Sequence, residues 1–344
     1  MKNRKTDYGV DAEAMGRQKS RGMTSFIGIE PVASRFAAAL FCGALLFMAQ
    51  GQTQAQTSAN ADRAQLLQSQ TQPPLGPVPE GVENGHVAAS PNDADLGEQA
   101  ILKRTAAYEP FTISVSSPVF YTSNVALTPN HELADIVEAP AIGIFYEPRF
   151  TRNLYGFVDV RQQMFFYDKY DSFNFGSFDA EAGLSYLEPR LHNLVVRVEY
   201  DFNRLTDDDL DSAFFNNHQI IASAEVPFKL NRAEQIALGV DANWSIAADH
   251  QSPRRDDYEA YATYFANITR AFSLNAVGRI VLRDYHQNGR DDVSEIFSLD
   301  ANYKLAPWCT ISFISSLARS DSNQDAFDYS VANVGGGLSL VIKF

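Results

Sequence analysis

Charged side chains recur at every second position through runs that are otherwise apolar or small. Asp159 and Arg161, Asp179 and Glu181, and Arg197, Glu199 and Asp201 sit two residues apart. Glu225, Asp241, Glu259, Arg279, Arg283, Asp300 and Lys304 fall into the same phase of their own runs. Together these are nine acids and five bases, with Gln163 in the same set. A period of two is the strand period, so each group shares one face of a strand. Such a face can do electrostatic work. It can line a wet channel whose negative potential favours cations or basic solutes. Alternatively its charges pair across a narrow space and close it.

Catalytic spacing is absent. His131, His192, His218, His250 and His286 fall in expected loops or at strand ends. No pair of them, and no cysteine pair, has the spacing of a zinc site, and no cofactor is implied. The run Asp207-Asp208-Asp209 with Asp211 has the ligand chemistry for Ca²⁺, or for divalent bridges to lipopolysaccharide. It equally has the composition of a solvated loop. Gly335-Gly336-Gly337 lies in a strand, where small residues allow tight packing rather than phosphate binding. A formal net charge of −14 argues against nucleic-acid binding.

The elements that would position the charged faces are strands, and they begin at Phe111. Twelve are expected: 111–126, 140–148, 154–167, 176–188, 193–204, 217–229, 234–247, 257–268, 272–285, 293–305, 308–319 and 327–344. Most exceed the ordinary strand of about five or six residues and suit a tilted membrane crossing, for which about 9–11 suffice. Connections after even strands are short, such as residues 189–192 and Ala306-Pro307; those after odd strands, such as 205–216, are longer and polar. Even strand number, alternating loop lengths and both ends on the short-turn side describe an antiparallel up-and-down transmembrane β-barrel over residues 110–344.

Alternation fixes the two faces. In the fifth strand Leu194, Val196, Val198, Tyr200 and Phe202 alternate with Val195, Arg197, Glu199, Asp201 and Asn203. The seventh sets Ile236 to Ile246 against Gly239, Asp241, Asn243 and Ser245, and the fourth sets Phe178 to Tyr186 against Asp179, Glu181 and Ser185. In a membrane the apolar set faces lipid, because Arg or Lys at mid-depth costs about 2–4 kcal/mol. Aromatics gather near strand ends and are expected as interfacial girdles: Tyr155, Phe166, Tyr186, Tyr200, Phe202, Phe228, Tyr258, Phe272, Tyr303 and Trp308.

The chain closes on Leu338, Leu340, Ile342 and Phe344 at alternate positions, ending on an aromatic carboxyl terminus. This stretch resembles the closing strand of Gram-negative outer-membrane β-barrel proteins, a porin-like class. The resemblance covers residues 111–344 and places the chain in no single family. It implies an integral outer-membrane location and contact with lipid and lipopolysaccharide. It also implies that the barrel assembly machinery reads the last strand. Outer-membrane phospholipases likewise have twelve strands, with a His and a Ser on the lipid-facing surface. No outward mid-strand position here is expected to carry a histidine, so no enzyme is expected.

The amino-terminal part is of different material. Residues 36–49 form an apolar run of 14 after Arg35, followed by small and Gln-rich sequence, the layout of a signal peptide ending near Ala55. Removing residues 1–55 leaves Cys309 as the one cysteine, so no internal disulfide is available. Residues 56–109, rich in Gln, Pro, Gly and Asn, bury too little apolar surface to offset ordering entropy. They are expected as a flexible periplasmic leader, with a short helix at 96–105 and a plug inside the barrel as the bolder alternative. The function expected is a small passive channel for ions or polar solutes; the alternative is an occluded barrel that works with a periplasmic or secretion partner.

Overall fold

The computed structural model describes residues 59–70 and 108–344. The expected signal peptide and the helix expected at 96–105 lie outside the described residues. From Phe111 the strands are β1 (Phe111–Thr122), β2 (Asp135–Glu138), β3 (Ala141–Tyr146), β4 (Leu154–Tyr167), β5 (Phe175–Glu188), β6 (Leu194–Thr206) and β7 (Ala213–Lys229). They continue as β8 (Glu234–Asp249), β9 (Arg255–Asn267), β10 (Phe272–Tyr285), β11 (Asp291–Ala306), β12 (Cys309–Ser322) and β13 (Tyr329–Lys343). Each pairs antiparallel with its neighbours, and β13 returns to β1 from Thr112↔Lys343 to Thr122↔Asn333. The sheet is therefore a closed barrel with twelve strands in the ring.

The thirteenth strand, β2, is short. It pairs with the loop end of β1 and with the end of β4, while β3 pairs with the other ends of both. The break is Ala139-Pro140, because proline cannot donate to the ladder. Hydrogen bonding still bridges the break: Ala139 N donates to Pro118 O and Met164 N to Pro140 O, both at 2.9 Å. The expected second strand, 140–148, thus gains a loop-side extension that sequence alternation had assigned to a loop. Two of the expected strands, 154–167 and 272–285, have the expected bounds.

The seam is tight because its residues are small. A Cβ on Gly335 would collide with Val119 O and Phe120, and one on Gly337 would come within 2.6 Å of Pro118 Cα. At the turn end, Phe344 and Phe111 exchange two backbone hydrogen bonds of 3.0 Å, and their rings stack at 5.8 Å. Phe111 also stacks on Tyr146 at 4.3 Å, so the aromatic carboxyl terminus is sewn into the closure.

Outside, the wall is apolar. Val115, Ile144, Val198, Leu238, Val240, Ile280 and Leu317 are exposed at mid-strand positions. Exposed aromatics stand at both ends: Tyr121, Phe166, Trp244 and Tyr258 toward the long loops, and Tyr186, Phe228, Tyr303, Trp308 and Phe344 toward the short turns, while Tyr200 sits mid-strand in β6. That is a lipid-facing belt between two girdles. One expected girdle residue faces the other way. Tyr155 is buried on the lumen side, where its hydroxyl donates to Arg152 O. Its parity is that of Phe157 and Asp159, and parity decides facing before ring chemistry does.

Inside the loop-side end of the barrel lies a helix, α1, covering residues 59–70 of what was expected to be a flexible leader. These twelve residues are mostly Ala, Gln and Leu, all good helix formers. Ala61, Ala64 and Leu67 recur every three residues and make one buried stripe.

Candidate functional site

The lumen wall carries its acids in rows. Asp159 on β4 lies opposite Glu181 on β5, which lies opposite Asp201 on β6. On the facing arc Asp241 of β8 lies opposite Glu259 of β9. Like charges at such positions repel and are unfavourable unless water or counter-ions enter. Glu199 Oε2, Asp201 Oδ1 and Glu259 Oε1 have no hydrogen-bond partner among the described residues, and Glu181 and Asp241 form no ion pair there. Other acids are compensated. Arg161 reaches Asp159 at 3.5 Å, Asp179 accepts from Asn203 and Ser177, and Glu259 is half-compensated, its Oε2 lying 3.8 Å from Arg279. Arg197 lies over the Phe157 ring at 4.5 Å. Asp300 shares the inward face of β11, whereas Lys304 is exposed near the turn end. All eight expected lumen charges therefore face inward.

Closing-strand residues Leu338, Ile342 and Phe344 are exposed on the outer surface, with Leu340 in the same parity. Gly239 belongs to the lumen wall, where the absence of a side chain leaves room for Tyr261; the Tyr261 hydroxyl donates to Glu225 at 3.1 Å.

α1 spans the space above the acid rows. Ala61, Ala64 and Leu67 pack with Phe120, Val137, Phe165, Phe175, Leu205 and Phe215, from the β1–β7 arc. Leu66 packs with Val281, Ile296, Ala318, Tyr329 and Val331, from the β10–β13 arc. The helix thus touches opposite walls. Its remaining contacts are polar. Asp62 accepts from Arg255 at 2.9 Å, from Arg290 at 2.7 Å and from the Tyr285 hydroxyl at 2.7 Å. Arg279 donates to Ser69 O at 2.6 Å and Arg283 to Ser69 Oγ at 3.2 Å. Gln68 donates to Ser177 at 2.5 Å, and Asn333 donates to Gln70 at 3.2 Å. Arg63 lies 3.7 Å over the Phe173 ring.

Of these residues, Asp62, Arg255, Tyr285 and Arg290 had no role in the sequence reading. Arg255 shares the parity of Asp257 and Glu259, which was the signal that could have placed it in the lumen. Arg290 stands in the β10–β11 loop, outside any strand pattern. Burial alone would lower its pKa; the hydrogen bonds with Asp292 and the charge of Asp62 outweigh that and hold it above the usual arginine value.

Two further features bear on chemistry. His218 lies within β7 on its outward face, deeper in the strand than expected because β7 starts at Ala213; it shares a hydrogen bond with the Tyr200 hydroxyl at 2.5 Å. The aspartates at 207, 208, 209 and 211 lie in an exposed loop, and no group of three metal-binding side chains converges among the described residues.

A closed ring, an apolar belt between aromatic girdles and a charged interior define an integral outer-membrane β-barrel of channel-like build. No family model and no curated protein matches the chain. Among solved structures it is similar to an outer membrane channel from Pseudomonas putida F1, at 13% identity and a TM-score of 0.49, covering 69% of this chain and 98% of that one. It is also similar to the KdgM porin, at 8% identity and a TM-score of 0.35 over 66% of this chain and 98% of that chain. The NanC porin matches at 10% identity and a TM-score of 0.38, over 66% of this chain and 98% of that chain. Likeness at these levels concerns the fold alone, and the class assignment rests on the barrel's own geometry.

Proposed function

We propose that the protein is an outer-membrane channel for ions or small polar solutes, cation-favouring in its lumen and held shut by α1. The observation that carries this reading is the pairing of an acid-rich lumen wall with a helix anchored by ionic contacts as well as by two apolar clusters. Uncompensated lumenal carboxylates serve no packing purpose; they suit a water-filled path. The plug's own apolar contribution is small, from Ala61, Ala64, Leu66 and Leu67, and Asp62 and four arginines add an ionic hold that a single substitution can weaken. No catalytic step is assigned: His218 pairs with a tyrosine, not with a serine or an acid. Lipid and lipopolysaccharide at the belt, and the assembly machinery at Leu338 to Phe344, are the partners this reading requires.

Planar-bilayer recording of the refolded full chain tests it. The wild type should be closed or open only briefly, and Asp62→Ala should open it for far longer. If Asp62→Ala and a chain lacking residues 56–108 both stay silent while migrating as folded barrels, the channel reading fails. The occluded structural barrel, which the helix across the lumen also suits, then takes its place.

A further inference from the structure

We propose that Arg255, Tyr285 and Arg290 form a receptor for a small polar carboxylate arriving from the loop side, and that Asp62 is its internal occupant. The link to opening rests on the stopper reading above; the binding itself does not.

The three donors converge on one carboxylate. Asp62 Oδ1 accepts from Arg255 Nη1 and Tyr285 Oη, and Oδ2 accepts from Arg290 Nη1. The arginine side chains are 6% and 7% exposed, so the site is built into the wall rather than laid on a surface. Its donors are fixed from behind. Arg255 Nε also bonds Asp257 at 3.0 Å, Arg290 is bound to Asp292 at 2.5 Å, and Arg290 is sandwiched between Tyr285 and Phe327 at 4.0 and 3.9 Å. Arg283 completes the cluster, 3.9 Å from Asp257.

Charge balance makes the site a receptor rather than a simple latch. Arg255, Arg283 and Arg290 face Asp62, Asp257 and Asp292, three against three. If α1 leaves, Asp62 goes with it, and one buried cation is left without its counter-charge. A buried unpaired charge is costly, so the vacated site demands an anion. A solute carboxylate supplies the same two oxygens to the same three donors. By linkage, any anion that binds only the vacated site shifts α1 toward release.

Space for the rest of such a solute adjoins the site. A cavity of 460 Å³ lies against Asp62, Tyr285 and Arg290. Apart from Ala59 of α1, the other lining residues come from three long loops: Ser252 and Pro253 between β8 and β9, Gln287 and Asn288 between β10 and β11, and Gln324 and Phe327 between β12 and β13. Amide and hydroxyl groups there offer hydrogen bonds to a polar, uncharged body. In this class the long loops face the outside of the cell, so the solute reports on the external medium.

The test uses the refolded full chain and sodium lactate as probe. Asp62→Asn removes the competing charge and keeps the side chain's size. Calorimetry should show lactate binding to Asp62→Asn at least tenfold tighter than to the wild type. Adding Arg255→Gln should weaken it at least tenfold again. In the wild-type site, a chain with Cys42→Ser and Cys309→Ser that carries Ala64→Cys reports helix release. Its maleimide labelling should rise severalfold with lactate and not with equimolar sodium chloride. No lactate binding by folded Asp62→Asn, or equal effects of chloride or inorganic phosphate, would overturn the proposal. A barrel that binds lactate but never conducts upholds the receptor and sinks only the channel reading.

Discussion

Neutralising Glu181→Gln, Glu199→Gln and Asp241→Asn together, in a chain already opened by Asp62→Ala, should weaken cation preference by a predictable amount. All three face the lumen, and the changes leave side-chain volume nearly constant. Glu181 lies opposite Asp159 and Asp201, and Asp241 opposite Glu259, so these two belong to acid rows, while Glu199 lies opposite Gly183 and Ile221. A cation about 6 Å from one carboxylate in water gains roughly 0.7 kcal/mol, of which about half survives screening at 0.1 M salt. Three such charges come to about 1 kcal/mol, close to a fivefold change in local cation concentration, since about 1.4 kcal/mol is tenfold. The assay is the reversal potential in a potassium chloride gradient, which should move toward the anion side. At about 1 M salt, where the screening length is about 3 Å, the same substitutions should shift cation preference by less than about twofold. An anion-selective parent chain, or a triple variant that conducts with unchanged selectivity at low salt, would refute the reasoning.

Deleting Phe344 removes the ring stacked on Phe111 and two seam hydrogen bonds; the truncated chain should accumulate unfolded in the periplasm, and normal heat-modifiable migration would count against this. An epitope inserted near Asp209, in the exposed β6–β7 loop, should be labelled on intact cells, whereas one near Arg190, in the β5–β6 turn, should not; reversed labelling would invert the topology. Gly239→Ala would press a methyl group into the Tyr261 ring, and overpacking of this kind costs about 1–3 kcal/mol. The midpoint of heat-induced mobility change should fall, and an unchanged midpoint would mean that Tyr261 yields freely.

Much of the barrel was legible because strand alternation is local. Leu194 to Asn203 announce their two faces within ten residues, and the loop lengths announce which ends of the strands meet. Even so, alternation alone left open whether Arg197 and Glu199 face water inside a barrel or Val196 and Val198 pack a soluble core. Closure of β13 on β1 decides this, because it creates one enclosed side and one surrounding side. Pro140 shows the limit from the other direction. A proline between two short apolar pieces reads as the start of a strand, and only the flanking β1 and β4 make β2 and β3 follow one path.

The helix inside the lumen was legible only as the alternative of a plug, without its residues or its contacts. Residues 59–70 contain only Ala61, Ala64, Leu66 and Leu67 as buried apolar groups, too few to distinguish a docked helix from a disordered Gln-rich leader by composition. What holds them is non-local. Asp62 meets Arg255, Tyr285 and Arg290 across more than 190 positions of sequence. Those residues are ordinary strand-end and loop residues until the ring brings β9, β10 and the β10–β11 loop to one side. The strand pattern, and with it the outward belt and the inward charges, follows from the sequence because each residue's facing depends on its immediate neighbours. The helix docking and the carboxylate site follow only from the closed barrel, because their free energy is a sum over contacts that do not exist until distant strands share one wall.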